Sequence, residues 1–306
     1  MMIFSALITI IGLSLFEAVS SVDNAIINAE VLTKVSERGK KWFLTWGMFI
    51  AVFLVRGILP FIIIWSFNVQ LNVGQVLSAA WSSDPLVLES INKSAPILLV
   101  AGGVFLIFLF LHWLFLEDKK LGLPRTEKFF MNQGIWFYAV VSILLTVISW
   151  FALEKNILMG FGAIVGSSLF FITHGFKQNA EAQEKKLLDG GHSDLSKLFF
   201  LEIIDTTFSI DGVLGAFAFT LSVPLILLGN GFGALLIRKL TIQNIEHIKK
   251  YIYLKNGAMY SILVLGIIMI LHSFGAYIPE YISPLATFLI IGFFFFKSKI
   301  ALNNRV

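Results

Sequence analysis

Glu17-Ala18-Val19-Ser20-Ser21-Val22-Asp23-Asn24-Ala25 interrupts an apolar run near the start of the chain. A second version follows as Glu202-Ile203-Ile204-Asp205-Thr206-Thr207-Phe208-Ser209-Ile210-Asp211-Gly212. In both, a carboxylate lies six residues before an Asp, a Ser lies two positions before that Asp, and Asn or Gly follows it. An acid at the centre of a membrane helix costs roughly 2.5–3.5 kcal/mol on insertion scales. The five acids of the two copies, Glu17, Asp23, Glu202, Asp205 and Asp211, therefore mark where function is expected.

The surroundings fix the class. Of 306 residues, 57% are hydrophobic and 14% charged, whereas soluble domains carry about a quarter charged residues. With runs of about 20 apolar residues, this reads as an all-α integral membrane protein whose first partner is the lipid bilayer. Cysteine is absent, which excludes disulfides, thiolate metal sites and cysteine nucleophiles. The net charge of +4 is no sign of a nucleic-acid partner, because the basic residues sit at span ends.

Nine spans are expected, at about 3–32, 43–67, 96–116, 134–153, 156–175, 198–221, 223–238, 256–274 and 283–300. The first has no basic residue before it and no small-residue cleavage site, so it reads as a retained span. Of the 23 Lys and Arg residues, 20 fall in the alternate connections 33–42, 117–132, 176–197 and 238–255 or at the C-terminus, as Lys297, Lys299 and Arg305. The positive-inside rule then puts the N-terminus outside and the C-terminus in the cytoplasm. The localisation implied is the inner or plasma membrane of a bacterial cell, in a multi-pass arrangement. The chain reads as one polytopic domain over 1–306, with halves of about 1–116 and 198–300 and linking spans at about 134–175.

The two motif copies lie five crossings apart and so run in opposite senses. An inverted repeat with a midplane site is a common secondary-transporter plan. At 100° per residue, Glu202, Asp205 and Ser209 share a helix face, while Asp211 lies about 120° from Asp205. Facing both acids to one site therefore requires the helix to bend or unwind, at Ser-Val-Asp-Asn and at Ser-Ile-Asp-Gly. Carboxylates with Ser and Asn oxygens suit hard cations such as Mg²⁺, Ca²⁺ or Mn²⁺. Glu17, Asp23, Asp205 and Asp211 are the expected ligands, with Ser20, Asn24, Glu202 and Ser209 as auxiliary ligands or orienters. The bland alternative is that the acids lock helices together through Arg56.

Other polar residues have simpler readings. Arg56 balances an acid or closes a gate, and Asn230, among Gly229, Gly231 and Gly233, either reaches the site or bonds between helices. His112, His174 and His272 read as packing or helix-end residues. Arg238 and Lys255 read as topology anchors, and Phe293 to Phe296 as lipid-facing bulk.

Ser-Val-Asp-Asn-Ala and Glu-x-x-Asp-x-x-Phe-Ser-Ile-Asp resemble the motifs of the TerC-type membrane proteins of the LysE transporter superfamily. Leu228-Gly229-Asn230-Gly231-Phe232-Gly233-Ala234-Leu235-Leu236-Ile237-Arg238 is similar to that family's Ser-Asn-x-Phe-Ala-x-x-x-x-Arg segment. Tyr253-Leu254-Lys255-Asn256-Gly257-Ala258 is similar to the start of its next span. The likeness covers about 1–60 and 198–300. Two departures mark a divergent branch: Gly212-Val213-Leu214 replaces the usual Ser-Ile-Pro, and the external loop 68–95 is long. The resemblance implies export of a divalent cation, most often manganese, and a link to metal or tellurite stress.

The functional expectation is a non-enzymatic exporter of a divalent metal with no resident cofactor. No P-loop is present, so transport draws on an ion gradient or runs downhill. Charge repulsion among the acids suggests proton antiport, with Glu202 as proton carrier. Alternatives are a non-transporting scaffold of a metal-stress complex, or an exporter of a small organic solute that uses Arg56. An intramembrane aspartyl protease fits less well, because neither Asp23 nor Asp211 follows Gly-x-Gly.

Overall fold

A computed structural model describes residues 2–47, 49–68, 70–78, 85–189 and 193–303. Side chains at 2, 3, 23, 53, 54, 77, 78, 85–88, 180, 181, 184–189, 208 and 240–249 lie outside that description. Every described element is a helix. The apolar run that opens the chain forms α1 (Met2–Ser20), and α2 (Val22–Thr33) follows after the single residue Ser21. The two axes differ by 55°. The hydrogen-bond ladder nevertheless continues across the corner, with Ser21 N donating to Glu17 O (3.0 Å) and Ala25 N to Ser21 O (2.9 Å). The expected unwound turn is thus a bend, and it frees no carbonyl at those two positions.

The short helix α3 (Glu37–Trp42) leads into two π-helical stretches, Phe43–Gly47 and Ile50–Ile58, and then into α4 (Leu59–Ser66). Pro60 in the first turn of α4 has no N–H to donate, and the wide turns lie immediately upstream. Arg56 sits on the second of them. After α5 (Val73–Ser78), α6 (Pro85–Leu116) forms the centre of the bundle. Its buried face, from Ile97 to Phe115, is the largest part of the core.

The connection after α6 holds a short helix, α7 (Pro124–Met131). Next come α8 (Phe137–Lys155) and α9 (Ile157–Asp189), joined at the extended residue Asn156. α10 (Asp194–Ala216), α11 (Val223–Lys249), α12 (Leu254–Ser273) and α13 (Ile282–Asn303) complete the chain. Glycines allow helices to touch by backbone. A Cβ at Gly162 or Gly166 of α9 would strike the α6 carbonyls of Ile97 and Ala101, and Gly103 and Gly266 play the same part between α6 and α12.

Among the described residues, six helical stretches are long and apolar enough to cross a bilayer, seven if the bent pair α1–α2 counts as one span. They agree in position with seven of the nine segments expected from the sequence. The other two, α10 and α11, are helical but not among them. Any crossing-length stretch of α10 includes Glu202, Asp205 and Asp211. The described side chains of α11 end at Lys239.

α10 differs from expectation in a second way. It runs unbroken through Ser209-Ile210-Asp211-Gly212, started by Ser193, whose side chain accepts from Ser196 N. Asp205 and Asp211 therefore stay on different faces of one straight helix. On the outer surface Phe293 and Phe296 are exposed as expected, but Phe294 is buried and stacks on Tyr260.

Candidate ion site

The corner between α1 and α2 places Glu17 and Asn24 beside α10 and the π-helical stretch. Arg56 donates to Glu17 Oε1 through both Nε (2.9 Å) and Nη2 (2.7 Å). Its Nη1 donates to Ala51 O at 3.0 Å and lies 3.4 Å from Asp205 Oδ2. Asn24 Nδ2 donates to Asp205 Oδ1, and Ser21 Oγ donates to Glu17 Oε1 at 2.9 Å. Glu17, Arg56 and Asp205 are all buried. The leading acid of each motif copy thus meets the other across one guanidinium.

Glycines make room for the acids. A Cβ at Gly212 would run into Glu17 Oε2, and one at Gly233 would lie 2.6 Å from Glu17 Cβ. Gly229, one turn before Gly233, packs on Leu13 in the same way. Asn230 between them is fully buried and donates from Nδ2 to Gly212 O at 3.3 Å. Its part is an interhelical bond that fixes α11 against α10.

A small cavity opens beside the triad, with about 20 Å³ open to the centre of a water-sized sphere. That is room for a water or a bare ion. Ser21, Asn24, Asn28, Arg56, Asp205 and Arg238 supply its polar walls. Asn24 Oδ1 and Asn28 Oδ1 are buried without a hydrogen-bond partner. Arg238 is buried at the far wall, 3.4 Å from Glu202 Oε1 and 3.8 Å above the ring of Phe43. Three carboxylates, Glu17, Asp205 and Glu202, thus face two guanidinium groups, which leaves one negative charge among the described residues.

The expected ligands separate into two places. Asp211, on the other side of α10, forms an ion pair with Lys177 of α9 and so does not share the cavity with Asp205. Ser209 bonds its own helix, donating to Asp205 O at 2.5 Å. Ser20 likewise donates to Glu17 O at 3.2 Å, and the neighbouring Ser21 takes the place expected for it. The Asp23 side chain lies outside the described residues. Among the described residues no three His, Asp or Glu side chains converge as a ready-made metal site. Glu202, the expected proton carrier, is paired with Arg238.

Sequence reasoning missed Ser21, Asn28, Lys177 and the inward turn of Arg238. Asn28 carries a signal, since it lies four residues after Asn24 and so on the same face of α2. Ser21 does too, as the Ser that matches Ser209 in register.

A second polar group lies where α6, α9 and α12 meet. The rings of His112 and His174 are 3.9 Å apart, Glu117 Oε1 is 3.5 Å from His112 Nδ1, and Lys255 donates to Glu117 Oε2 at 2.8 Å. Burial pushes the Glu117 carboxyl up, but the partners His112 and Lys255 outweigh it and hold the group down, to about 2. Below it, the buried Glu127 of α7 accepts from Gly122 N and from Asn256 Nδ2, which ties that connection to α12.

Fold and site together define a helical, multi-pass membrane protein with a buried arginine–carboxylate centre beside a water-sized cavity. The chain belongs to the family described as protein of unknown function (DUF475), which it matches over residues 22–306. Neither the curated proteins nor the solved structures gave a match.

Proposed function

We propose that the protein is a secondary transporter that exports a divalent metal cation through the cavity beside Asp205. The observation that carries this reading is the cavity itself. It is of ion size, has Asp205 in its wall with Glu17 and Glu202 paired to its two arginines, Arg56 and Arg238, and is lined by Asn24 and Asn28, each with a buried side-chain oxygen that has no hydrogen-bond partner. Asp205, Ser21, Asn24 and Asn28 supply oxygens of the kind that suit a hard cation, across from the guanidinium groups of Arg56 and Arg238. Asp205, Asn24, Asn28 and Ser21 would hold the ion, and Arg56 serves as the tethered counter-charge when the site is empty. Asp23, next to Asn24 in sequence, is a further candidate ligand from its sequence position alone.

The TerC-type resemblance makes manganese the cargo and metal or tellurite stress the setting. In this reading α10 and α11 also cross the membrane, for nine spans in all. The two motif copies form an inverted repeat, and the chain starts outside and ends in the cytoplasm of a bacterial cell. An organic solute is disfavoured, since a cavity of about 20 Å³ is too small for one.

The test is flux of Mn²⁺ into liposomes carrying the purified protein. Asp205→Asn and Asn28→Leu should each lower it by about 10–100-fold, while Glu154→Gln, at an exposed position, should match wild type. Wild-type flux from Asp205→Asn would sink the proposal. One observation favours the scaffold reading instead: Arg56 already bonds both acids, as a purely structural lock would. No flux above that of empty liposomes, with metal resistance intact in Asp205→Asn cells, would decide for the scaffold.

A further inference from the structure

His112 and His174 contribute nothing to the cavity, yet they stand in a row with other titratable groups of α6, α9, α10 and α12. The line starts at Asp211, which holds Lys177. One turn before Lys177 on α9 is His174, whose ring lies 3.9 Å from that of His112 on α6. His112 faces Glu117 at 3.5 Å, and Glu117 holds Lys255 at 2.8 Å. Gln178 lies 3.0 Å from His174 Nε2 and can donate to it.

Every charge in the line has an opposite partner. Asp211 and Glu117 are matched by Lys177 and Lys255, so the line is neutral while both imidazoles are neutral. The packing elements are α6, α8, α9, α10 and α12. α8 brings Phe137 edge-on to His112, a group without charge. The charged groups facing the pair are then Lys177, Glu117, Lys255 and Asp211. His112 is buried, and its Nδ1 lies 3.5 Å from Glu117 Oε1, an ion-pair contact too long for a good hydrogen bond. Two rings this close accept one proton readily and a second only against repulsion. Such a pair holds at most one charge at a time and can hand it on.

We propose that His112 and His174 form a proton-holding pair, separate from the cavity around Asp205, that passes protons between Asp211 and the end of the bundle at Glu117 and Lys255. A proton that binds a nitrogen of one imidazole passes to the other ring as the first N–H bond breaks and a second N–H bond forms, and it then leaves that ring, so each passage moves one charge. That end also holds the basic connections 117–132 and 238–255, the cytoplasmic side of the topology proposed above. The role in antiport rests on the transport reading; the shared proton does not.

Two measurements test this. The first is NMR of the purified protein with isotopically labelled histidine, titrated between about pH 8 and 5. His112 and His174 should take up one proton between them, and each single variant, His112→Gln or His174→Gln, should return the remaining ring to independent titration. Two independent titrations in the wild-type protein, or none, would overturn the proposal. The second uses liposomes with a pH gradient as the only driving force for Mn²⁺ movement. The histidine variants and Asp211→Asn should lose about 10²-fold of the gradient-driven flux while keeping Mn²⁺ exchange at equal pH. His272→Gln should behave as wild type. Undiminished gradient-driven flux in the histidine variants would overturn the relay. Absence of Mn²⁺ movement in the wild-type protein would instead overturn the transport reading, and the histidine titration would still decide on the pair.

Discussion

Asn24 and Asp205, 181 residues apart in sequence, are joined by a 2.5 Å hydrogen bond from the Asn24 amide to Asp205 Oδ1. The bond links the two motif copies directly, and it turns Asn24 Oδ1 loose into the cavity with no donor of its own. A residue that steadies one acid thus also offers an oxygen to a guest. Replacing Asn24 with Asp would keep the oxygen but remove the donor and set two acids face to face. Asn24→Asp should therefore lower thermal stability in detergent, and added Mn²⁺ should restore part of it. A melting temperature unmoved by Mn²⁺ would count against cation binding at this wall.

Arg56 offers a test of the buried centre that needs no transport. Removing one partner of a buried pair leaves the others uncompensated, at a cost of about 3–5 kcal/mol. Arg56→Met should accordingly melt well below wild type. Adding Glu17→Gln to it removes one stranded acid and should recover part of the loss. If the double variant is no more stable than Arg56→Met, Glu17 and Arg56 are not energetically paired.

The glycines that seat the acids predict an unusual mutational sensitivity. Gly212→Ala puts a methyl group against Glu17 Oε2, and Gly47→Ala puts one against Glu202 Oε1. Overpacking of this kind costs about 1–3 kcal/mol. Gly175 and Gly292 have open space around the missing Cβ, and Ala there should be neutral or stabilising, since helical Gly is worth up to about 1 kcal/mol less than Ala. Thermal melting of the four single variants checks the contrast. Equal melting of Gly212→Ala and Gly175→Ala would contradict the packing.

Glu117 sets an acid limit. Its carboxyl is held at about 2, below the ordinary 4.5, by His112 and Lys255 against the opposing push of burial. A depressed carboxylate contributes stability that is complete above the unfolded-state value and disappears as pH falls from about 4.5 toward 2. Wild type should therefore out-melt Glu117→Gln by a margin that is constant at neutral pH and closes across that acid window. A margin that persists unchanged at the acid end would assign the effect to packing instead.

Topology has its own check. A reporter fused after Val306 should read cytoplasmic, and one inserted at Asn72, in the connection between α4 and α6, should read external. Reports from the same side would rule out an odd number of crossings between the two points of insertion.

The helical class and the position of seven spans were legible in the sequence because hydropathy acts over whole spans, where one residue hardly matters. The convergence of Glu17, Asp205 and Asn24 also followed from the repeat. Four features did not. Lys177 and Arg238 lie at span ends, where a basic residue ordinarily points to water, and only packing shows their long side chains turned inward to Asp211 and Glu202. Gly212 read as a helix breaker beside Asp211, whereas its lack of a side chain serves Glu17 on a neighbouring helix. A straight α10 then sends Asp205 and Asp211 to different partners, an outcome that the 120° offset allowed but could not decide. His112 and His174, 62 residues apart in separate spans, give no sequence sign of meeting.

The 33 residues of α9 give it a length of about 50 Å, whereas the hydrocarbon core of a bilayer is about 30 Å thick. Roughly 20 Å of continuous helix is left over, and Lys177 sits near the point of exit. The overhang is a lever arm attached to the helix that holds both Lys177 and His174. A tilt of a few degrees within the membrane, too small to see against side-chain motion, becomes a displacement of ångströms at the tip near Asp189. One unbroken helix thus joins the Asp211 ion pair to a tip that a bilayer of ordinary thickness is too thin to cover.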